Sequence, residues 1–298
     1  MSAITVAGSD RRPGPADVPR PPDHPARGLA LPDVLLLDEG GVLSLSGGGD
    51  GAAAEVAIRV GELVARAGIQ GPGVGRIEAD IRSAKDTYRR FKARHLADPH
   101  PAEMDHRTFW SDLVAASWPD PARMLVRLES EPLSNALSAA NLRQPAPGAL
   151  DLLAWAVGRG IRIGLVANTF AAAATRTRLA RWGMDRYLSV QVHSAEIGHR
   201  KPDPTLLTTA ITALRAEPAR CWYVGDSRAK DVECARRSSV ATAVLVGGGG
   251  SDDRGPNADL DVGDCAELHG VLRDLADAQG SGAGRVAGEH ETGKGTNR

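Results

Sequence analysis

The sequence has little cysteine, few aromatics, no long apolar run and no excess of charge of either sign. Cys221, Cys234 and Cys265 lie far apart and form no CxxC pair. That excludes a zinc site or a disulfide framework as the organising device and leads to the expectation of a reducing, cytoplasmic setting. No apolar run approaches the roughly 20 residues needed to span a bilayer. The N-terminal stretch RRPGPADVPRPPDHPARG is Pro-rich and charged, unlike a secretory leader. No membrane association is therefore expected. Thirty-six Lys and Arg stand against thirty-seven Asp and Glu, a formal net charge of -1, without the basic excess of a general nucleic-acid binder. Aromatics are only 4% of the 298 residues, so the core must be built from Leu, Val, Ile and Ala.

What is present alternates between two textures. Short aliphatic runs occur at 34–37, 161–166, 188–192, 221–224 and 241–246, with a weaker one at 258–262. Segments of helical spacing separate most of them, the pattern of βα units on a mostly parallel sheet. One unit reads as a helix opened by Pro147, carrying an apolar stripe of Leu150, Leu153, Ala154 and Val157, and closed by Gly160.

From about residue 47 to 145 the texture is helical only. Ala53, Val56, Ala57, Val60, Leu63, Val64 and Ala67 follow an amphipathic period. Further helices are expected over 76–95, 108–117 and 123–141. This is too much helix for one crossover, so the fold class is an α/β doubly wound, mostly parallel core with an inserted all-helical domain. The expected division is core at 31–46 and 146–279, insert at 47–145, and disordered ends at 1–30 and 280–298.

In open α/β sheets ligands bind outside the carboxyl ends of the strands. Asp38 follows the first run in VLLLDEGGVL, and Ala167-Asn168-Thr169 follows the second. Lys201 lies in GHRKPDP, and Asp226 and Asp231 lie in GDSRAKD. In this order the set resembles the haloacid dehalogenase-like (HAD) superfamily, whose four motifs are an apolar strand ending in Asp, a strand ending in Ser or Thr, a Lys before Pro, and a Gly-Asp followed by further acid. The inserted helices occupy the place of that family's C1-type cap.

The resemblance implies a magnesium-dependent phosphatase acting on a small phosphorylated metabolite. Asp38 would be the nucleophile, forming an aspartyl-phosphate. Asp38, the Gly40 carbonyl and Asp226 would hold Mg2+, an oxygen-seeking ion. Lys201 would neutralise nucleophile and phosphate, and Asp231 would hold the lysine or the metal's water shell. Asn168 and Thr169 would contact phosphate.

Two positions depart from the family pattern. Gly40 stands where an acid–base Asp is usual, and Ala167 where a phosphate-binding hydroxyl is usual. Phosphatases with a DxGxV motif are part of the resemblance, and Asp38-Glu39-Gly40-Gly41-Val42 fits it. The competing expectation is a catalytically degenerate HAD domain that binds a ligand or partner. The basic run Arg82, Lys85, Arg89, Arg90, Lys92 and Arg94 reads as a solvated helix face, with part of it turned to the cleft as the alternative. Trp110 and Trp118 are expected to fill the core of the insert.

Overall fold

The computed structural model describes residues 28–48, 51–249 and 254–286, with the side chains of 280–286 excepted. The disorder expected at the N-terminus therefore falls almost wholly outside the described residues.

β1 (Val34–Leu37) is followed by β2 (Ser44–Ser46), α1 (Ala52–Arg66), α2 (Val74–Arg94), a wide-turn helix over Thr108–Val114, α3 (Asp120–Leu128), α4 (Ser130–Ala139) and β3 (Arg143–Pro145). Then come α5 (Ala149–Gly158), β4 (Arg162–Ala167), α6 (Ala172–Arg181), β5 (Val190–His193), α7 (Ser194–Ile197), α8 (Thr205–Ala213), β6 (Cys221–Gly225), α9 (Glu233–Arg237), β7 (Thr242–Val246), β8 (Leu260–Val262) and α10 (Cys265–Val286). The last helix takes in the first residues of the tail expected from residue 280, and 287–298 lie outside the described residues.

The main sheet has the order β5-β4-β1-β6-β7-β8, and every pairing in it is parallel. β1 sits between β4 and β6, in register Leu37↔Leu165 and Leu37↔Val224. It is buried on both faces, which is why it reads as an unbroken aliphatic run. Leu35 and Leu37 pack with Leu152, Leu153 and Leu268 on one side. Val34 and Leu36 pack with Leu206, Leu207 and Ala235 on the other. β4 and β5 lie on one side of β1 and β6 to β8 on the other, and the crevice this reversal opens at the strand ends is where Asp38 emerges.

The helices between β2 and β3 form a cap with its own core of Val56, Val60, Ile77, Ile81, Phe109 and Trp110 among others. Trp110 and Trp118 are both buried there. The chain leaves and re-enters the sheet domain through the antiparallel pair β2/β3, with Ser44↔Pro145 and Ser46↔Arg143. This ribbon was not anticipated from the sequence, because three-residue strands carry no usable period.

Two helical expectations need correction. The single helix expected over 123–141 is two, α3 and α4, broken at Glu129. Pro132 lacks an N–H, and in a continuous helix its ring would clash with the carbonyl of Leu128, so the break falls there. In α5 the buried residues are Ala149, Leu152, Leu153 and Ala156, whereas Leu150 and Val157 are 38% and 43% exposed. Both stripes satisfy a helical period. The register used places two alanines inward, where their small side chains allow close approach to the sheet. Among the described residues, no helix is long and apolar enough to cross a membrane.

Candidate functional site

The crevice at the strand ends gathers Asp38, Lys201, Asp226 and Asp231. Asp38 leaves β1 with its N–H bonded to Val224 O at 2.9 Å, which fixes the residue to the neighbouring strand β6. Lys201 reaches in from the loop before α8. Its Nζ lies 2.9 Å from Asp38 Oδ1 and 2.7 Å from Asp231 Oδ1. The same ammonium donates to Tyr223 Oη at 2.7 Å and Val166 O at 3.1 Å. It therefore has more partners than its three protons can serve in full, and its position is fixed from several directions.

Asp231 is an organiser. Its Oδ1 accepts from Tyr223 Oη at 2.9 Å, and its Oδ2 accepts from the backbone N–H groups of Asp226 and Ser227. Gly225 makes room for it, since a Cβ there would lie 2.1 Å from Asp231 Cβ. Gly41 does the same for Asp226. Its φ is +78°, a conformation that suits glycine, and a Cβ would lie 2.3 Å from Asp226 Oδ2. Gly41 thus lets the loop after β1 close on the loop after β6, and Gly225 lets that second loop fold back on Asp231.

Electrostatics follows from burial. Removal from water pushes Asp38 up to about 7, with Asp231 and Asp226 adding to the rise and Lys201 opposing it. Burial, then Asp231, raises Asp226 as well. Burial works against ionisation of Asp231 too, but Lys201 and Lys230 outweigh it and hold Asp231 below the usual carboxylate range. For Lys201, burial would favour the neutral amine, yet Asp231 and Asp38 raise it. The lysine is thus a fixed cation between two acids.

Carboxylate oxygens of Asp38, Asp226 and Asp231 all lie within 4.8 Å of one another. Asp226 Oδ1 is buried with no hydrogen-bond partner, and the nearest cation to it in an ion pair, Lys230 Nζ, stands at 3.8 Å. An orphaned carboxylate oxygen in an all-oxygen cluster is what a hard divalent cation would satisfy. The residues present therefore fit such an ion.

Other expected site residues have different surroundings. Asn168 donates from Nδ2 to Lys201 O at 3.1 Å and accepts from Lys201 N–H at 2.8 Å, so its amide positions the lysine's backbone. Thr169 Oγ1 accepts from Ala171 N–H at 3.2 Å and lies 3.3 Å from Thr175 Oγ1, at the start of α6. Gly40 pairs with Ser44 in an isolated bridge, and the space beside its Cα faces the Arg143 guanidinium.

Three participants were not foreseen. Tyr223 read as a strand residue, since no periodicity announces a hydroxyl aimed at a lysine from the next loop. Glu103, in the cap, pairs with Arg200 and accepts from Tyr88 Oη and Ser194 Oγ, both at 2.6 Å, and so ties the cap to the loop that carries Lys201. Glu39 is buried beside Ser44, Arg178 and Arg143. A Glu next to the Asp that ends β1 was the available clue.

Between cap and core lies a cavity of about 260 Å³ lined by Arg89, Lys92, His95, Arg200, Lys201 and Lys230, with apolar residues beside them. A larger one, about 420 Å³, opens between α4 and α6 and includes none of the acid cluster.

A family model for haloacid dehalogenase-like hydrolases matches residues 59–238, and the chain belongs to that family. It is 34% identical over 122 residues to a phosphoserine phosphatase of Thermus thermophilus, covering 41% of this chain and 49% of that protein. It is 32% identical over 138 residues to a glyceraldehyde 3-phosphate phosphatase of Methanopyrus kandleri, covering 45% and 58%. The chain thus spans about half the length of these curated relatives. A crystal structure of 2-haloacid dehalogenase from Pseudomonas syringae pv. Tomato DC3000 shares the fold, with a TM-score of 0.54 and 19% identity over 81% of this chain and 98% of that one.

Proposed function

We propose that this protein is a magnesium-dependent phosphatase of the C1-capped kind, acting on small phosphorylated metabolites through an aspartyl-phosphate on Asp38. The observation that carries the reading is the buried Asp38–Lys201–Asp231 arrangement beside an Asp226 oxygen without a hydrogen-bond partner. Phosphatase activity among the curated relatives supports it.

Asp38, the Gly40 carbonyl and Asp226 would hold the metal, and Asp231 would act on its water shell while holding Lys201. Bound magnesium supplies positive charge that offsets the repulsion between carboxylate and phosphate. Lys201 keeps Asp38 aligned and places a second positive charge against the phosphoryl oxygens.

In the first step an Asp38 carboxylate oxygen attacks phosphorus, the ester P–O bond breaks, and the leaving oxygen takes a proton from water. In the second step a water oxygen attacks the same phosphorus. The P–O bond to Asp38 breaks, the carboxylate is regenerated, and the water's proton leaves with orthophosphate or to solvent. Gly40 provides no general acid for the first step. A positioned acid contributes about 10²–10⁴-fold, a loss that matters least when the leaving group is already good. The preferred substrates are accordingly those with acidic leaving groups.

The alternative, a HAD domain that binds without turnover, rests on Gly40 and Ala167. Phosphate release from acetyl phosphate and an aryl phosphate, with magnesium or with chelator, separates the two readings. Release that requires both magnesium and Asp38, judged against Asp38→Asn, supports the phosphatase. Folded, metal-binding protein that releases none supports the binding domain.

A further inference from the structure

The cavity between cap and core is cationic on both walls. Arg89 and Lys92 face it from α2, and Arg200, Lys201 and Lys230 from the core, and no acidic residue lines it. The core cations are already engaged: Lys201 with Asp38 and Asp231, Arg200 with Glu103, Lys230 with Asp226. The two cap cations differ from each other. Arg89 meets Asp86 on the exposed side of α2. Lys92 is half-buried, and its ammonium lies over the face of Tyr88, 4.6 Å from the ring centre. Among the described residues it makes no ion pair. Residues 89 and 92 are one turn apart and share a helix face.

A phosphoryl group at Asp38 would meet Lys201 and leave Lys92 on the cap wall without an anion. Resting on the phosphatase reading above, we propose that the substrate carries a second anionic group, a carboxylate or a second phosphate, held by Lys92 and Arg89 in the cavity that Lys201, the partner of Asp38, also lines. A space of about 260 Å³ suits a compound of few heavy atoms. Burial, then the Arg200 charge, brings Lys92 down to about 8, and it remains a cation at neutral pH. A desolvated cation of this kind gains most from an anion that arrives with the substrate.

The test compares hydroxyethyl phosphate with phosphoglycolate and with ethylene glycol bisphosphate, which differ from it by one added anion. Electrostatic steering of the phosphoryl group alone would act equally on all three. The expected result is kcat/KM at least about tenfold higher for one or both of the doubly anionic compounds, with the preference falling toward unity in Lys92→Gln and reduced in Arg89→Gln. Whichever compound gains identifies the second group as carboxylate or phosphate. Calorimetric affinities of the same compounds for the Asp38→Asn protein read the cap wall without turnover. Equal rates and equal affinities would overturn the second-anion site and leave the phosphatase reading intact. Absence of turnover with these alkyl phosphates and with acetyl phosphate, the tenfold affinity difference being preserved, would do the reverse.

Discussion

Lys201 Nζ lies 2.9 Å from Asp38 Oδ1 and 2.7 Å from Asp231 Oδ1, so one buried ammonium joins the end of β1 to the loop after β6. Removing one partner from a buried ionic group typically costs about 3–5 kcal/mol. Lys201→Met should lose stability in that range at neutral pH, measured by urea denaturation. A loss below about 1 kcal/mol would mean that the two acids are held by something other than the lysine.

Gly41 and Gly40 are neighbours with opposite tolerances. At Gly41 a side chain meets both a φ of +78° and the Asp226 carboxylate. Left-handed backbone alone costs about 1–2 kcal/mol in a residue with a Cβ, and Gly41→Ala must also displace Asp226. It should therefore destabilise the fold by at least that amount and weaken magnesium binding about tenfold or more. Thermal unfolding and metal titration of the variant check both.

At Gly40 an added Cβ meets only the tip of Arg143, at 3.5 Å, which is ordinary van der Waals contact. Gly40→Asp should fold like the parent and supply the missing acid–base. Turnover of alkyl phosphates, whose leaving groups are poor, should rise by about 10²-fold, while acetyl phosphate changes little. An equal effect on both would remove leaving-group protonation as the reason.

These two glycines mark how far the sequence could be read. The strand ends were legible because an apolar run that stops at Asp38, or at Gly225-Asp226, leaves a polar side chain at a sheet edge whatever lies around it. The sheet follows from that reasoning and the cap from its unbroken helical texture, while Lys201 and Asp231 were singled out by the resemblance to the HAD motifs. Contacts set by tertiary approach were not legible. Tyr223 looks like any buried strand residue until Lys201 arrives from another loop. Asn168 holds the Lys201 backbone, a contact that no spacing announces. The α5 stripe had two equally periodic registers, and only packing distinguishes them.

His193 sits at the end of β5, fully buried, with neither ring nitrogen hydrogen-bonded. Burial, then the Arg176 charge, brings it down to about 4, with Glu196 and Glu39 opposing weakly. In the unfolded chain it titrates near 6.5, so between about 6.5 and 4 the unfolded state binds the extra proton. The stabilising contribution is complete above 6.5 and is lost as pH falls toward 4, by roughly 3 kcal/mol in all. His193→Phe should flatten that part of the stability–pH curve, as read by denaturation across the window. An unchanged curve would assign the acid sensitivity to other groups.

Magnesium should raise the unfolding temperature, because the three-acid cluster that would hold it exists only in the folded chain. At a hundred times its dissociation constant the gain is about 2.7 kcal/mol. Asp226→Asn should abolish most of the shift, since it removes charge from the carboxylate whose Oδ1 has no hydrogen-bond partner.

The most direct measurement is acid quenching during turnover of acetyl phosphate with magnesium, followed by peptide mass analysis. The account predicts one hydroxylamine-labile phosphoryl group on the peptide containing Asp38, absent from Asp38→Asn protein. Turnover with no phosphoryl group on that peptide, or with one on another residue, would contradict the assignment of Asp38 as nucleophile.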